Sequence, residues 1–109
     1  MSNKDIQVGK TAAIVAYFTL IGSLIAITMN LEPKNVFARF HIRQAFGIHL
    51  LFHALAIGFT FTGIPYITLV LFLGYLLLWG YAFLQAINGK KTLVPVIGPY
   101  FQKWFTFIQ

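Results

Sequence analysis

The chain has 109 residues, which leaves room for one domain and excludes a two-domain enzyme. Hydrophobic residues make up 59% of the sequence and charged residues 9%, too few charges to cover the surface of a soluble domain. The absence of cysteine excludes disulfides, thiolate nucleophiles and iron–sulfur clusters. Eight Lys and Arg against two acidic residues give a net charge of +6. In so apolar a chain this excess indicates orientation in a membrane rather than binding to nucleic acid.

The first uncharged run extends from Thr11 to Leu31. At about 1.5 Å per residue it matches the roughly 30 Å thickness of a bilayer's hydrocarbon core, so it predicts a first transmembrane helix over residues 11–31. Its apolar stretch is longer than that of a secretory signal, which favours a retained helix. Two pairs of small residues in this run, Ala12 with Ala16 and Gly22 with Ala26, have the spacing that allows close helix contact.

A second uncharged run, Gln44 to Gly89, is about twice as long as one crossing requires. The sequence Thr62-Gly-Ile-Pro65 near its middle favours a turn, and proline suits the first turn of a new helix. The run therefore predicts a second helix over 36–61 and a third over 65–88. The predicted fold is an all-α integral membrane protein with three transmembrane helices.

The C-terminal segment is too short and too interrupted by Pro95 and Pro99 to cross again. Its end has apolar residues at helical spacing, which predicts an amphipathic helix over 99–109 lying in the headgroup plane. The apolar residues are Phe101, Trp104, Phe105 and Ile108. The same pattern would suit packing against a partner protein.

Three crossings would place the N-terminus and the C-terminal tail on opposite sides. The N-terminal side would carry Lys4 and Lys10, and the other side the six remaining basic residues. The positive-inside rule then predicts a bacterial inner-membrane protein with its N-terminus outside and its C-terminus in the cytoplasm.

The segment Phe40-His-Ile-Arg-Gln-Ala45, together with Ala86, Gly89 and Pro95 downstream, resembles a family of small bacterial multi-pass membrane proteins of largely undefined function. That family is related to the small multi-pass subunit of the chloroplast inner-envelope protein import translocon. The matching positions are Phe40, His41, Gln44, Ala45, Ala86, Gly89 and Pro95. The resemblance implies a multi-pass helical fold and a link to protein translocation or insertion.

The polar residues of this motif lie one turn apart near the start of the second predicted helix. We expect His41, Arg43 and Gln44 to lock helix ends together. His41 and Gln44 could either cap the broken backbone near Asn30 or bond to the carbonyl groups after Asn88. Arg39 and Arg43 could also bind lipid phosphates or pair with Glu32. Contact with lipid headgroups is predicted for six residues: Arg39, Arg43, Lys90, Lys91, Lys103 and Trp104.

His49 and His53 are four residues apart and project from one helix face. This spacing could hold a metal ion or a haem, although two histidines are only part of a site. The alternative is a pair of neutral histidines bonded to hydroxyl or backbone groups of an adjacent helix. No cofactor and no metal are therefore predicted.

Both carboxylates, Asp5 and Glu32, lie outside the predicted crossings, and no phosphate loop or nucleophile motif occurs. We therefore expect a non-enzymatic accessory or structural subunit of a membrane complex. Its predicted partners are the lipid bilayer and either other membrane subunits or further copies of the chain, without nucleic acid. The alternatives are a small oligomeric channel lined by His49, His53 and Thr60, and a histidine-based metal or haem protein.

Overall fold

A computed structural model describes residues 3–31 and 34–108. These residues form five α-helices: α1 (Asn3–Phe18), α2 (Leu20–Met29), α3 (Val36–Thr60), α4 (Ile67–Ile87) and α5 (Gly98–Trp104). The prediction of an all-helical chain is confirmed for the described residues.

The first uncharged run does not form one helix, so the prediction of a single helix over 11–31 is wrong, and a third crossing is not supported. Thr19 has an extended backbone, with φ −156° and ψ 173°, and separates α1 from α2. Its side-chain oxygen accepts a hydrogen bond from the Gly22 N–H at 2.9 Å, so Thr19 is the N-cap of α2. Each of the two resulting helices is too short or too charged to span a bilayer.

The helix α2 doubles back along α1. The Asn30 side-chain oxygen, just after α2, accepts a hydrogen bond from the Asn35 backbone N–H at 3.0 Å. The Asn35 side-chain nitrogen donates to the Asp5 backbone carbonyl at 2.8 Å. A straight helix would separate Asp5 from Asn30 by about 37 Å. The end of α2 therefore lies beside the start of α1, and the two helices form a hairpin with its tip at Thr19.

Small residues allow the two arms of this hairpin to pack closely. A Cβ atom at Gly22 would overlap the Val15 carbonyl oxygen, so the backbones touch where only glycine fits. The Ser23 hydroxyl donates to the Ala16 carbonyl at 2.8 Å, across the same contact. Ala16 and Ala26 are fully buried, as close helix packing requires.

The second uncharged run forms two long helices, near the predicted bounds. α3 begins at Val36, after the N-cap Asn35 whose side chain accepts from the Ala38 N–H at 2.9 Å. Residues 61–66 form the turn, and α4 starts at Ile67 rather than at the predicted Pro65. Both helices are long and apolar enough to cross a membrane.

The surface of α4 distinguishes it from the core helix of a soluble protein. Only 6% of its most apolar stretch is buried, against 33% for α3. Large apolar side chains such as Leu69, Leu73 and Leu77 are more than half exposed. So apolar a surface on a helix of this length suggests a membrane protein.

The chain leaves α4 through a glycine and returns to the start of α3. Gly89 has φ +71°, and the Lys90 N–H donates to the Gln85 carbonyl at 2.8 Å, which closes the helix end. The amphipathic helix α5 is shorter than the predicted 99–109, because it ends at Trp104. The Phe101 ring of α5 fills the space that a side chain at Gly47 of α3 would occupy.

Both described ends of the chain lie at the same end of the molecule. A Cβ atom at Gly89 would lie 2.9 Å from the Ile6 side chain, and Asp5 contacts Asn35. The two described ends thus lie together, whereas three crossings would have separated them; which side of a membrane each end faces stays a prediction. We call this the basic end, because all eight Lys and Arg lie in the segments that meet there: Lys4, Lys10, Lys34, Arg39, Arg43, Lys90, Lys91 and Lys103.

Candidate functional site

A buried hydrogen-bond network joins three helices near the basic end, and Tyr17 is at its centre. The Tyr17 ring is fully buried, and its hydroxyl lies 2.7 Å from Nδ1 of His41 and 3.1 Å from Nε2 of Gln44. The Tyr17 carbonyl accepts a hydrogen bond from the Trp79 indole N–H. One residue of the hairpin is thereby bonded to both α3 and α4.

The partners of His41 determine which of its nitrogens carries hydrogen. Nε2 lies 2.8 Å from the Lys90 carbonyl oxygen, which can only accept, so Nε2 is the donor. In the neutral ring Nδ1 is then an acceptor, and it takes the hydrogen of the Tyr17 hydroxyl. The Phe37 and Phe40 rings meet the imidazole edge to face at 4.8 and 5.1 Å. His41 is therefore a buried connector between α1, α3 and the chain after α4.

Gln44 completes the network with all of its polar atoms in use. Its amide nitrogen donates to the Tyr17 hydroxyl and to the Thr92 carbonyl at 3.3 Å, and its oxygen accepts from the Val94 N–H at 2.8 Å. These bonds fix the extended segment after α4 against α3. No buried side-chain nitrogen or oxygen within residues 3–31 and 34–108 lacks a partner. The network therefore joins the hairpin, α3 and the chain after α4 through fully paired polar groups.

A second polar cluster lies deeper, at the tip of the hairpin. The Ala16 carbonyl, near the end of α1, accepts from the Ser23 hydroxyl and from Nε2 of His49 at 3.1 Å. Nδ1 of His49 lies 2.7 Å from the Tyr75 hydroxyl, which must be the donor because Nε2 carries the ring hydrogen. The break at Thr19 leaves the Ala16 carbonyl without a helical N–H donor. The Ser23 hydroxyl and His49 Nε2 provide donors in its place.

The two histidines considered for a metal site have different surroundings. Both nitrogens of His49 have protein partners, and the ring is fully buried. His53 is exposed, and its Nδ1 contacts the His49 carbonyl at 2.6 Å within the same helix. Among the described residues no three His, Asp or Glu side chains are grouped as metal ligands. Ligation by His49 would require breaking the joint to Ala16 or Tyr75.

Arg43 holds the C-terminal segment. Its Nε donates to the Ile108 carbonyl at 2.8 Å, and its terminal nitrogens lie 3.4 Å from the Thr106 carbonyl and 3.5 Å from the Gln102 carbonyl. These oxygens belong to the end of α5 and the turn after it, where backbone acceptors lack helical donors. The guanidinium is thereby fixed in place as a cation bound to neutral carbonyls.

The other residues predicted to contact lipid are distributed around the basic end. Arg39 is half-buried on α3, and the Lys91 ammonium lies 5.5 Å from the Phe40 ring centre. Lys90, Lys103 and Trp104 are exposed. The possible pairing of Arg39 or Arg43 with Glu32 lies outside the described residues.

The motif residues without polar side chains have positions of a different kind. Phe40 and Ala45 are buried in α3, and Gly89 provides the positive φ that ends α4. Pro95 is exposed and opens a tight turn in which its carbonyl accepts from the Ile97 N–H at 2.7 Å. The structure thus brings His41, Gln44 and the chain after Gly89 together, while Pro95 lies outside the network.

Sequence reasoning did not identify Tyr17, Ser23, Tyr75 and Trp79 as members of these clusters. The available signal is the presence of hydroxyl and indole groups within uncharged runs, where each needs a partner. Their partners could not be assigned from the sequence, because the hairpin at Thr19 determines which of them meet.

No protein-family model matches the chain, and no match was found among curated proteins or solved structures.

Proposed function

We propose that this protein is a non-enzymatic subunit of a membrane complex. In this proposal α3 and α4 cross a bacterial inner membrane, and the hairpin α1–α2 enters the bilayer from the basic end without crossing it. The basic end faces the cytoplasm, because all eight Lys and Arg belong to it and the turn at 61–66 has none.

The observation that supports a structural rather than a catalytic role is the complete pairing of the buried polar groups. Among the described residues, every buried side-chain donor and acceptor has a partner. A catalytic or transport site needs at least one polar group directed at a substrate or an ion. In this molecule the imidazoles of His41 and His49 instead connect helices.

The half of the molecule beyond the hairpin tip offers a surface for another subunit. Ala54 and Gly58 are exposed on one face of α3, four residues apart, and a Cβ atom at Gly58 would have no neighbour within 4 Å. Beside this region an apolar cleft of about 170 Å³ separates α3 from α4 and is lined by Leu55, Val70 and Gly74, among others. Exposed small residues in a membrane allow a partner helix to approach closely.

The resemblance of the Phe40–Ala45 segment to small multi-pass proteins extends this proposal to a class of complex. We propose that the complex takes part in protein insertion or translocation. The basic, cytoplasmic end would then lie on the side from which a chain enters the membrane.

Site-specific photocrosslinking in cells tests this function. A photoreactive residue replaces Ile57, which is exposed beside Gly58, and the matched control replaces Leu69, exposed at a similar depth on α4. We expect a discrete protein adduct from position 57, identified by mass spectrometry as one membrane protein, and little adduct from position 69.

The same complex should persist when the protein is purified in mild detergent. Loss of the adduct on Gly58→Leu would support helix packing at the small residues, because the added side chain would fill the contact. A lone subunit in several mild detergents, with only lipid adducts from both positions, would contradict the proposed role.

A further inference from the structure

A groove lies at the basic end between the first turns of α3 and the chain after Lys90. Its volume is about 430 Å³, and its lining includes Arg39, Phe40, Arg43, Lys91, Leu93 and Gln102. A volume of this size is in the range that accommodates a small organic headgroup. We infer that this groove is a binding site for the phosphate group of an anionic phospholipid.

The charges of the groove favour an anion. Arg39 and Arg43 are one turn apart on α3, and Lys91, in the chain after α4, lines the same groove. None of the residues lining it is acidic, so three positive charges share about 430 Å³ without a carboxylate in the lining. Cations grouped in this way repel one another unless an anion joins them, and phosphate matches guanidinium geometry well.

The three cations differ in how they are held. Arg43 is fixed by three backbone carbonyls, and the Lys91 ammonium lies over the Phe40 ring. Within the described part of the chain, the Arg39 guanidinium has no hydrogen-bond partner, so its donors are available. The site therefore combines two positioned charges with one guanidinium that is able to form a bidentate contact.

The rim of the groove indicates a lipid rather than a soluble phosphate. Val36, Leu93 and Pro99 line the groove beside the cations, and all three are exposed. Arg43 lies about 10 Å along α3 from Val36, a depth that fits the headgroup region if α3 enters the membrane there. An anion with an attached apolar tail would satisfy both kinds of surface. This depth argument rests on the proposed membrane placement of α3.

The test compares lipid binding by the purified full chain with binding by charge variants. Native mass spectrometry in neutral detergent measures retention of phosphatidylglycerol against phosphatidylcholine. The double variant Arg39→Gln/Lys91→Gln should lose about 30-fold in affinity for phosphatidylglycerol, since each cation near an anionic surface contributes about fivefold. Lys103→Gln removes a charge of the same end outside the groove lining and should change affinity less than about threefold.

Two further measurements make the result specific. Arg39→Lys keeps the positive charge and should retain part of the affinity for phosphatidylglycerol. Circular dichroism should show the same helix content in every variant. Equal losses in Lys103→Gln and in the double variant, or equal retention of the two lipids by the unaltered protein, would overturn the site. Inorganic phosphate that binds the groove as tightly as phosphatidylglycerol does would overturn its assignment to a phospholipid. Because no partner protein is involved, these outcomes are separate from the crosslinking test of the proposed function.

Discussion

The Tyr17 hydroxyl donates to Nδ1 of His41 at 2.7 Å and joins two helices across 24 positions of the chain. This bond connects the hairpin α1–α2 to a helix that is long and apolar enough to cross a membrane. Because Gln44 donates to the same hydroxyl, one oxygen determines how α1, α3 and the chain after α4 meet. Much of the stability of the basic end should depend on it.

Replacing Tyr17 with Phe removes this oxygen while keeping the ring. Nδ1 of His41 and one amide hydrogen of Gln44 would then be buried without partners, which should lower the free energy of unfolding by about 1 to 3 kcal/mol. Thermal unfolding in detergent measures the effect. Tyr100→Phe, at a ring that is about half exposed on α5, serves as the control and should change stability little. Equal effects of the two substitutions would show that the network does not stabilise the fold.

Gln44 and Gln102 offer a matched pair of amides. Gln44→Leu should destabilise the protein by about 2 kcal/mol, because the Val94 N–H and the Tyr17 hydroxyl would lose a buried partner. Gln102→Leu removes a bond to the Phe40 carbonyl at a half-buried position, where water can replace the amide. Hydrogen exchange at Val94 should accelerate only in the first variant. Equal loss of thermal stability in both would contradict the placement of Gln44 at the joint.

The hairpin depends on Gly22, and Gly74 provides a control. Gly22→Ala would place a methyl group against the Val15 carbonyl and should cost about 1 to 3 kcal/mol. Gly74→Ala adds a methyl group to open space on α4 and should stabilise the helix by up to about 1 kcal/mol. Both are measured by thermal unfolding in detergent. A neutral Gly22→Ala variant would be inconsistent with closely packed hairpin arms.

The sequence was sufficient to locate α3 and α4 but not to recognise the hairpin. The long uncharged run and the turn at Gly63 fixed two helices, because a charge-free stretch of twice the bilayer length has few other solutions. The run over 11–31 has the length of one crossing. Its length alone does not show whether the chain continues as one helix or turns back as a hairpin. Thr19 before Leu-Ile-Gly-Ser was the local signal, since Thr is a good N-cap. The small pairs Ala12/Ala16 and Gly22/Ala26 turned out to lie on two arms that pack together.

The role of His41 and Gln44 can be predicted without knowledge of the hairpin. Helix ends leave carbonyls without donors, and polar side chains at the start of a membrane helix are close enough to reach them. The backbone near Asn30 and the segment after Asn88 are therefore the two partners that the sequence predicts, and the structure shows bonds to the second. The role of Tyr17 cannot be predicted, because a tyrosine in an apolar run has many possible partners until the path of the chain is known.

The path of the chain also accounts for the charge distribution. Three crossings would divide the cations between two sides, whereas the hairpin brings all eight to one end. A two-crossing arrangement therefore gives the stronger charge asymmetry, which is the quantity that sets orientation in a membrane.

Cysteine accessibility in oriented membranes tests the two-crossing arrangement most directly, since the chain has no cysteine of its own. Single cysteines are placed at Lys4 and Lys103, near the two ends, and at Phe61 in the turn, and each is treated with an impermeant maleimide before and after the membrane is opened. We expect Lys4→Cys and Lys103→Cys to react from the same side and Phe61→Cys from the other. Reaction of Lys4→Cys and Lys103→Cys from opposite sides would contradict the hairpin and would indicate a third crossing.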